Sequence, residues 1–214
     1  MMNMSKDNNK FWQRYAPVYW LFVRNAGKAY DEIAEKISKY INRDSKVLEL
    51  ACGTGEFTFR LAKKCKNWTA TDFSENMLKE AKNTYDKSGE NIEGLCFERQ
   101  DATNLPYEDE SFDAVMIANA LHIMPEPEKA LAEIKRVLKP EGILFAPTFM
   151  YREGSGFLIR SGLLKLFGFK SYLSLSGGEF SEFIEKQGFQ VLECDIIKCK
   201  VSPLCCLIAR KSEV

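Results

Sequence analysis

An apolar run that stops at two closely spaced glycines constrains the fold of this chain more than any other stretch. Residues 47–50 are apolar apart from Glu49, Gly53 and Gly55 follow, and helical spacing of apolar residues begins at Phe57. Glycine adopts positive φ and lets a ligand approach the main chain at the positive end of the next helix. The stretch therefore predicts a strand, a nucleotide-binding turn and a helix. Because a carboxylate in a buried strand needs a partner, we expect a cationic ligand beside Glu49.

Strand-like and helical patterns alternate through the rest of the chain. Further strand-like runs occupy residues 68–71, 94–100, 111–118, 143–148, 189–198 and 204–210. Helical spacing of apolar residues occupies 27–41, 126–138 and 178–188. This alternation predicts an α/β fold with a doubly wound, mostly parallel sheet and helices on both faces. Right-handed crossovers would bring every ligand-binding turn to one edge of the sheet.

Length and charge narrow the class of protein. The 214 residues fit a single domain, 1–214, and the 30 basic residues balance the 30 acidic ones. Nucleic-acid-binding proteins present a basic excess, so we expect no nucleic-acid partner. No run approaches the roughly 20 apolar residues that span a membrane, and residues 1–10 are too polar for a signal peptide. We therefore expect a cytoplasmic protein without a transmembrane segment.

The seven cysteines do not form a recognisable metal or disulfide framework. No C-x-x-C pair is present, and the spacing fits neither a zinc site nor a secreted disulfide scaffold. Several of them lie in apolar, strand-like stretches, where cysteine acts as a small hydrophobic residue. We predict mostly buried, reduced thiols and no metal site, with a redox or metal-binding role as the alternative.

The glycine turn resembles the first motif of the class I S-adenosylmethionine-dependent methyltransferases. Residues 49–58 are close to the pattern E-x-x-C-G-T-G-x-x-[ST] of the small-molecule, UbiE-like branch, or methyltransferase type 11. Later motifs match at corresponding intervals from Phe11 to the last strand. The resemblance implies a Rossmann-like, seven-stranded sheet in the order 3-2-1-4-5-7-6 with an antiparallel last strand. It also implies S-adenosylmethionine as cofactor, S-adenosylhomocysteine as product, and in-line methyl transfer to a small acceptor.

Acidic residues that follow two predicted strands mark the cofactor site. Asp72 lies 17 residues beyond Gly55, near the interval at which a carboxylate meets ribose hydroxyls, although capping the next helix is an alternative role. The resemblance implies that Asp101 and the Ala102 amide read the adenine amino edge, and that Phe73 and Met77 sandwich the ring. The residues expected to bind the cofactor are Tyr15, Tyr19, Glu49, Ala51, Gly53, Thr54, Gly55, Asp72, Phe73, Met77, Asp101, Ala102 and Asn119.

Two segments outside these motifs carry additional apolar surface. Residues 1–26 contain an aromatic stretch broken by Pro17, and the resemblance implies that it folds over the cofactor as a lid; packing on the sheet is the alternative. Residues 152–178 form an apolar, lid-like insertion, for which a helix on the sheet, a substrate lid and a membrane-surface helix stay open. We expect a small acceptor of apolar or lipid-like character. Peripheral membrane contact and the oligomeric state stay open.

His122 is the one histidine of the chain and the candidate catalytic residue. It follows the fourth predicted strand, where the family places residues beside cofactor and acceptor, and an imidazole there could take a proton from the acceptor. A pocket-lining or helix-entry role is the alternative.

Two other functions would use the same glycine turn. They are a nicotinamide-dependent oxidoreductase, against which Thr58 in place of a third glycine counts, and a non-catalytic nucleotide-binding protein.

Overall fold

A mixed β-sheet forms the centre of the computed structural model, which describes residues 6–18, 24–150, 171–200 and 202–212. Within those residues the sheet has eight strands. They are β1 (Lys46–Leu50), β2 (Asn67–Asp72), β3 (Leu95–Arg99), β4 (Phe112–Ile117), β5 (Leu138–Phe145), β6 (Thr148–Phe149), β7 (Phe189–Ile197) and β8 (Leu204–Lys211). Every residue of β1 after the first is buried, as expected for a parallel strand that is covered on both faces.

The strand order agrees with the family pattern. From one edge the strands follow as β3, β2, β1, β4, β5 and β8, with β7 outside β8. Strands β1 to β5 are parallel, whereas β8 is antiparallel to its neighbours β5, β6 and β7. With β7 and β8 counted as the sixth and seventh strands, the predicted order 3-2-1-4-5-7-6 with an antiparallel last strand is confirmed.

One detail of the predicted sheet is wrong, because the expected strand 143–148 is split in two. Strands β5 and β6 both pair with β8, through Phe145↔Ile208 and Thr148↔Cys205. Pro147 lies between them and has no N–H to donate to the ladder. The described part of the sheet therefore has eight strands rather than seven.

Helices cover both faces of the sheet, as predicted. The α-helices of the described residues are α1 (Lys6–Tyr15), α2 (Gly27–Ile37), α3 (Thr58–Leu61), α4 (Glu75–Ser88), α5 (Pro127–Val137) and α6 (Gly177–Lys186). One apolar cluster joins residues of α2, α3 and α4 to one face, and a second joins residues of α5 and α6 to the other. The predicted helix 27–41 is shorter than expected, since α2 ends at Ile37.

Local sequence signals explain several helix ends. Helix α1 ends before Pro17 and continues as a 3-10 turn, Ala16–Val18. Ser74 caps α4, because its side-chain oxygen accepts a hydrogen bond from the Met77 amide at 3.3 Å. Ser176 and Glu179 form a capping box that starts α6.

Two sequence predictions fall on parts of the chain that the structure does not describe. Tyr19 and residues 152–170 of the apolar insertion lie outside the described residues. The described end of the insertion is held to the domain, because the amides of Tyr172 and Leu173 donate to the His122 carbonyl at 2.8 and 3.2 Å. Among the described helices, none combines the length and apolar character required to cross a membrane.

Candidate active site

A cavity lies at the carboxyl edge of the sheet, where β1 to β4 end. Its empty volume is about 1100 Å³, part of which is open to solvent. The predicted residues that line it are Ala51, Gly53, Asp72, Phe73, Met77, Asp101, Ala102 and Asn119. The lining residues that sequence reasoning missed are Trp12, Thr71, Ser74, Gln100, Thr103, Ala118, Ala120, Ile123, Met124, Pro125 and Glu126. Most of these come within a few residues of the end of a parallel strand, and that position is the signal that could have found them.

The glycine turn between β1 and α3 has the backbone conformation that its sequence predicts. Ala51, Gly53 and Gly55 have φ values of 53°, 57° and 91°. A Cβ at Gly55 would collide with the ring of Phe59, so the residue must be glycine. The helix that follows is a single turn, which leaves little helix dipole for a ligand. The exposed main chain of the turn, rather than a long helix, therefore forms this side of the site.

Glu49 does not line the cavity. Its side chain is buried, and Oε2 accepts hydrogen bonds from Thr58 Oγ1 at 2.7 Å and Trp68 Nε1 at 2.8 Å. Burial raises the pKa of the Glu49 carboxyl to about 7, against the opposite effect of these two donors. The partners that the carboxylate needs are thus protein side chains. Thr58, which replaces the third glycine of a dinucleotide fingerprint, provides one of them.

Asp72 reaches the cavity from the end of β2 and is fixed by two main-chain amides. The Gly53 amide donates to Oδ2 at 2.9 Å, and the Ser74 amide donates to Oδ1 at 2.7 Å. Burial raises the pKa of Asp72 to about 6, and the amide hydrogen bonds oppose the rise. A carboxylate has about four acceptor positions, so its oxygens can still accept hydrogen bonds from a ligand.

Residues after β3 form the neighbouring wall. Asp101 Oδ1 accepts hydrogen bonds from the amide and hydroxyl of Thr103, at 2.9 and 2.7 Å. The amide of Gln100 donates to the Asp72 carbonyl at 3.2 Å and ties this wall to β2. Phe73 and the buried Met77 add apolar surface, and the guanidinium of Arg99 lies 5.4 Å from the centre of the Phe73 ring. The wall thus combines a carboxylate with apolar faces, as an adenine site requires.

Asn119 follows β4 and is held in the left-handed region at a φ of 53°. Its amide donates to the Pro147 carbonyl at 2.8 Å, and its side-chain Nδ2 donates to the Tyr30 hydroxyl at 3.2 Å. Its Oδ1 is buried and has no hydrogen-bond partner in the described part of the chain, and the same holds for Oγ1 of Thr54 beside the glycine turn. Asn119 lines the cavity, so its unsatisfied oxygen fits a site that a polar ligand completes. The predicted Thr54 and Gly55 do not line the cavity.

His122 is buried behind the cavity and is not one of its lining residues. Its Nδ1 lies 2.9 Å from Thr148 Oγ1. Burial lowers the pKa of the imidazole to about 3, so the ring is neutral at physiological pH. The adjacent Ile123, in the same 3-10 turn Leu121–Ile123, does line the cavity.

The N-terminal helix borders the cavity through Trp12 and not through the predicted Tyr15, while the other predicted residue, Tyr19, lies outside the described residues. Trp12 lines the cavity, whereas Tyr15 does not and packs on Phe11 with ring centres 4.6 Å apart. The carbonyl and side chain of Gln13 accept hydrogen bonds from Asn76 at 2.7 and 3.2 Å, which docks α1 on the start of α4. Trp12 belongs to the aromatic stretch of the sequence, and the phase of α1 decides that its ring rather than that of Tyr15 lines the cavity.

Comparisons with known proteins found similar sequences and similar folds. A family described as a methyltransferase domain matches residues 48–146, which begin in β1 and end just after β5. The chain is 39% identical over 110 residues to an uncharacterized chloroplastic methyltransferase of Arabidopsis thaliana, covering 49% of this chain and 31% of that protein. It is 33% identical over 153 residues to the ubiquinone/menaquinone biosynthesis C-methyltransferase UbiE of Campylobacter jejuni, covering 68% of this chain and 61% of that protein. The chain thus spans less than two thirds of the length of either relative.

Similarity of fold covers nearly the whole chain. The crystal structure of the [4+2]-cyclase SpnF superposes with a TM-score of 0.77 at 21% identity, over 97% of both chains. At this identity the likeness concerns the fold alone. The fold, the motif series and the family match together define a class I S-adenosylmethionine-dependent methyltransferase domain. Residues 48–146 match this domain family, and over 153 residues the chain is similar to a UbiE C-methyltransferase, so S-adenosylmethionine is the cofactor of this class of domain.

Proposed function

We propose that this protein transfers the methyl group of S-adenosylmethionine to a small, apolar acceptor with an O-, N-, S- or C-nucleophile. The observation that supports this proposal most directly is that one side of the cavity is acidic and the other is largely apolar. Asp72 and Asp101 line it where β2 and β3 end, whereas the apolar Ile123, Met124 and Pro125, followed in the chain by Glu126, line it beyond β4. Because β1 lies between β2 and β4, its glycine turn separates the two walls. A nucleoside on the acidic side and an apolar acceptor on the other side would meet beside this turn.

The binding roles follow from the groups on the acidic side. Asp72, oriented by the amides of Gly53 and Ser74, would accept hydrogen bonds from both ribose hydroxyls. Asp101 would accept a hydrogen bond from the exocyclic amine of adenine, a donor that a carboxylate matches. Phe73 would pack on the base. The Asn119 amide, whose Oδ1 is buried without a partner among the described residues, would face the polar amino-acid part of the cofactor or the acceptor.

Catalysis would rest on alignment. The bound cofactor supplies an electrophilic methyl group on a positively charged sulfur. The turn at Gly53 and the wall at Asn119 would hold the nucleophile in line with that methyl group, while Trp12 on α1 and Met124 exclude water. Holding two reactants in line can contribute about 7–11 kcal/mol to lowering a barrier. Because α1 would exclude water from the reacting groups, we assign this helix the role of a lid. We also propose that residues 1–214 form a single domain.

The general-base role of His122 stays a prediction, and the activity of a His122→Gln variant would test it. A group with a pKa near 3 accepts protons poorly at pH 7, and the side chain of His122 lies behind the cavity wall. We expect His122→Gln to lower kcat by less than about tenfold with an unchanged pH profile, because a general base contributes roughly 10²–10⁴-fold. A larger loss, together with the disappearance of an ionisation from the profile, would restore the catalytic role.

Among acceptors, a quinone-like aromatic ring is the first candidate. The Campylobacter relative is named for ubiquinone and menaquinone biosynthesis, and Ile123, Met124 and Pro125 would offer such a ring an apolar wall. Tritium-labelled S-adenosylmethionine should be incubated with the protein and reduced quinone precursors, and separately with a metabolite extract. Label in an apolar product would identify the acceptor, and label confined to a water-soluble amine would overturn the apolar assignment.

Calorimetry separates this function from its competitors. We expect S-adenosylmethionine and S-adenosylhomocysteine to bind to the same site, with no binding of NAD. Binding of NAD alone would support the nicotinamide-dependent oxidoreductase. Binding of both adenosyl compounds without methyl transfer to any compound of the extract would support a non-catalytic nucleotide-binding protein.

We also propose that the protein works in the cytoplasm. What supports this is that the spacing of the seven cysteines does not fit the disulfide framework of a secreted protein. Cell fractionation tests the location, with the chloroplast of the Arabidopsis relative as the competing outcome. For a lipid-like acceptor we propose peripheral membrane contact, which co-sedimentation with vesicles made of the host lipids would detect.

A further inference from the structure

We propose that Cys194 and Cys205 are a redox modification site, at which a peroxide converts the two thiols into a reversible disulfide. The Sγ atoms of this pair lie 3.1 Å apart. A disulfide bond is about 2.05 Å long, so closing it requires each sulfur to move by only about half an ångström. The site is separate from the cofactor cavity, which neither cysteine lines.

The strand register explains why these two side chains meet. In the antiparallel pair of β7 and β8, Ile196 lies directly opposite Cys205. Cys194 is two residues before Ile196 and therefore projects from the same face of the sheet. Cys194 and Cys205 are thus diagonal neighbours, close enough for side-chain contact. Cys206 projects from the opposite face and packs in the other apolar cluster.

Exposure decides the order of the chemical steps. Cys194 is half-buried and Cys205 is fully buried, so the oxidant meets Cys194 first. Its thiolate attacks one peroxide oxygen, the O–O bond breaks, and Cys194 becomes a sulfenic acid while hydroxide leaves as water. The sulfur of Cys205 then attacks the sulfur of Cys194, the S–O bond breaks, and a second hydroxide leaves as water. Two thiols and one hydrogen peroxide give one disulfide and two waters, and each water takes up one thiol proton.

The disulfide would act on the structure that supports the cavity wall. Cys194 Sγ now donates to the carbonyl of Gly177, the first residue of α6, at 3.5 Å, a contact that the bond to Cys205 would replace. Cys205 is paired with Thr148, whose hydroxyl contacts the ring of His122 behind the wall. The bond would therefore link β7 covalently to β8 at Cys205, the residue that pairs with Thr148.

Peptide mapping of the full chain tests the proposal. Trypsin places Cys194 in peptide 187–198 and Cys205 in peptide 201–210. After treatment with hydrogen peroxide, we expect these two peptides as a linked species, two hydrogens lighter than their sum, which a thiol reductant separates. Because peptide 201–210 also contains Cys206, the same mapping is done on Cys206→Ser, where the link should persist.

Matched variants and thermal unfolding give independent readouts. The link should be lost in Cys194→Ser and in Cys205→Ser, and oxidation should raise the Tm by a few degrees in the wild-type protein but not in Cys194→Ser. If Cys205→Ser does not fold, Cys206→Ser and Cys194→Ser still decide the result. Sulfinic or sulfonic acid at Cys194 without a linked species, or a link that Cys206→Ser abolishes, would overturn the proposal.

Discussion

Two carboxylates lie on opposite sides of the glycine turn and have opposite surroundings. Glu49, inside β1, points into the core, where Thr58 and Trp68 donate to it. Asp72, at the end of β2, points into the cavity, and main-chain amides of Gly53 and Ser74 hold it there. Burial raises the pKa of both groups.

The difference shows that a carboxylate near the end of a parallel strand is not by itself a ligand-binding group. The register places Glu49 opposite Ala70, so Glu49 and Asp72 project from the same face of the sheet. What differs is the position along the strand, because Glu49 lies inside β1 whereas Asp72 is the last residue of β2, at the edge of the sheet. A core carboxylate is satisfied by side chains and holds the structure together, as Glu49 does with residues from α3 and β2. An edge carboxylate satisfied by main-chain amides keeps acceptor capacity for a ligand. A substitution of Glu49 should therefore lower the stability of the domain, whereas a substitution of Asp72 should weaken cofactor binding.

The largest expected effect is at the turn that separates the two carboxylates. Gly53→Val should abolish S-adenosylhomocysteine binding in calorimetry, because a β-branched side chain resists the φ of 57° and would occupy the space of the ligand. Gly178→Val is the matched control, since a Cβ at Gly178 would meet no atom within 4 Å. Unchanged affinity in Gly53→Val would remove the turn from the cofactor site.

Glu49→Ala should lower the free energy of unfolding by about 2–4 kcal/mol, because it leaves the buried donors of Thr58 and Trp68 without their acceptor. Urea denaturation measures the loss, and the exposed Glu32→Ala serves as the surface control. Unchanged stability with strongly weakened cofactor binding would mean that Glu49 is a ligand-binding group and would remove the contrast with Asp72.

Asp72→Ala should weaken cofactor binding rather than lower the stability of the domain. Loss of hydrogen bonds to a charged acceptor should weaken S-adenosylhomocysteine binding by about 1.5–3 kcal/mol, measured by calorimetry, while the domain stays folded. Asp72→Asn separates charge from shape, because its amide keeps one acceptor oxygen and should give an intermediate loss. If Asp72→Ala unfolds the domain but leaves the remaining folded fraction with normal affinity, Asp72 serves only to hold the amides of Gly53 and Ser74.

The smallest expected effect concerns pH. Ribose hydroxyls donate to the ionised form of Asp72, whose pKa is about 6, so protonation should weaken binding. Affinity for S-adenosylhomocysteine should therefore be nearly constant above pH 7 and fall by about tenfold at pH 5, one unit below this pKa. Titrations of wild type and Asp72→Asn at both pH values check this, and an equal fall in Asp72→Asn would assign the pH dependence to another group.

Several parts of the fold and site were open to prediction because their signals are local. The apolar run before Gly53, the spacing from Gly55 to Asp72, and Ser74 as a helix cap are all properties of short stretches. The sheet order came from the family resemblance, and the structure confirms it. The split of the last parallel strand was also readable, since Pro147 cannot donate to a ladder.

The sequence by itself determined the alternation of strands and helices, the glycine turn and the acidic residues after β2 and β3, since spacing along the chain specifies them. Only the tertiary structure decided that Glu49 faces Trp68, that Trp12 rather than Tyr15 borders the cavity, and that Cys194 meets Cys205. Each of these depends on a strand register or a helix phase fixed by packing between segments far apart in sequence. A one-residue shift would turn the same side chain to the other face.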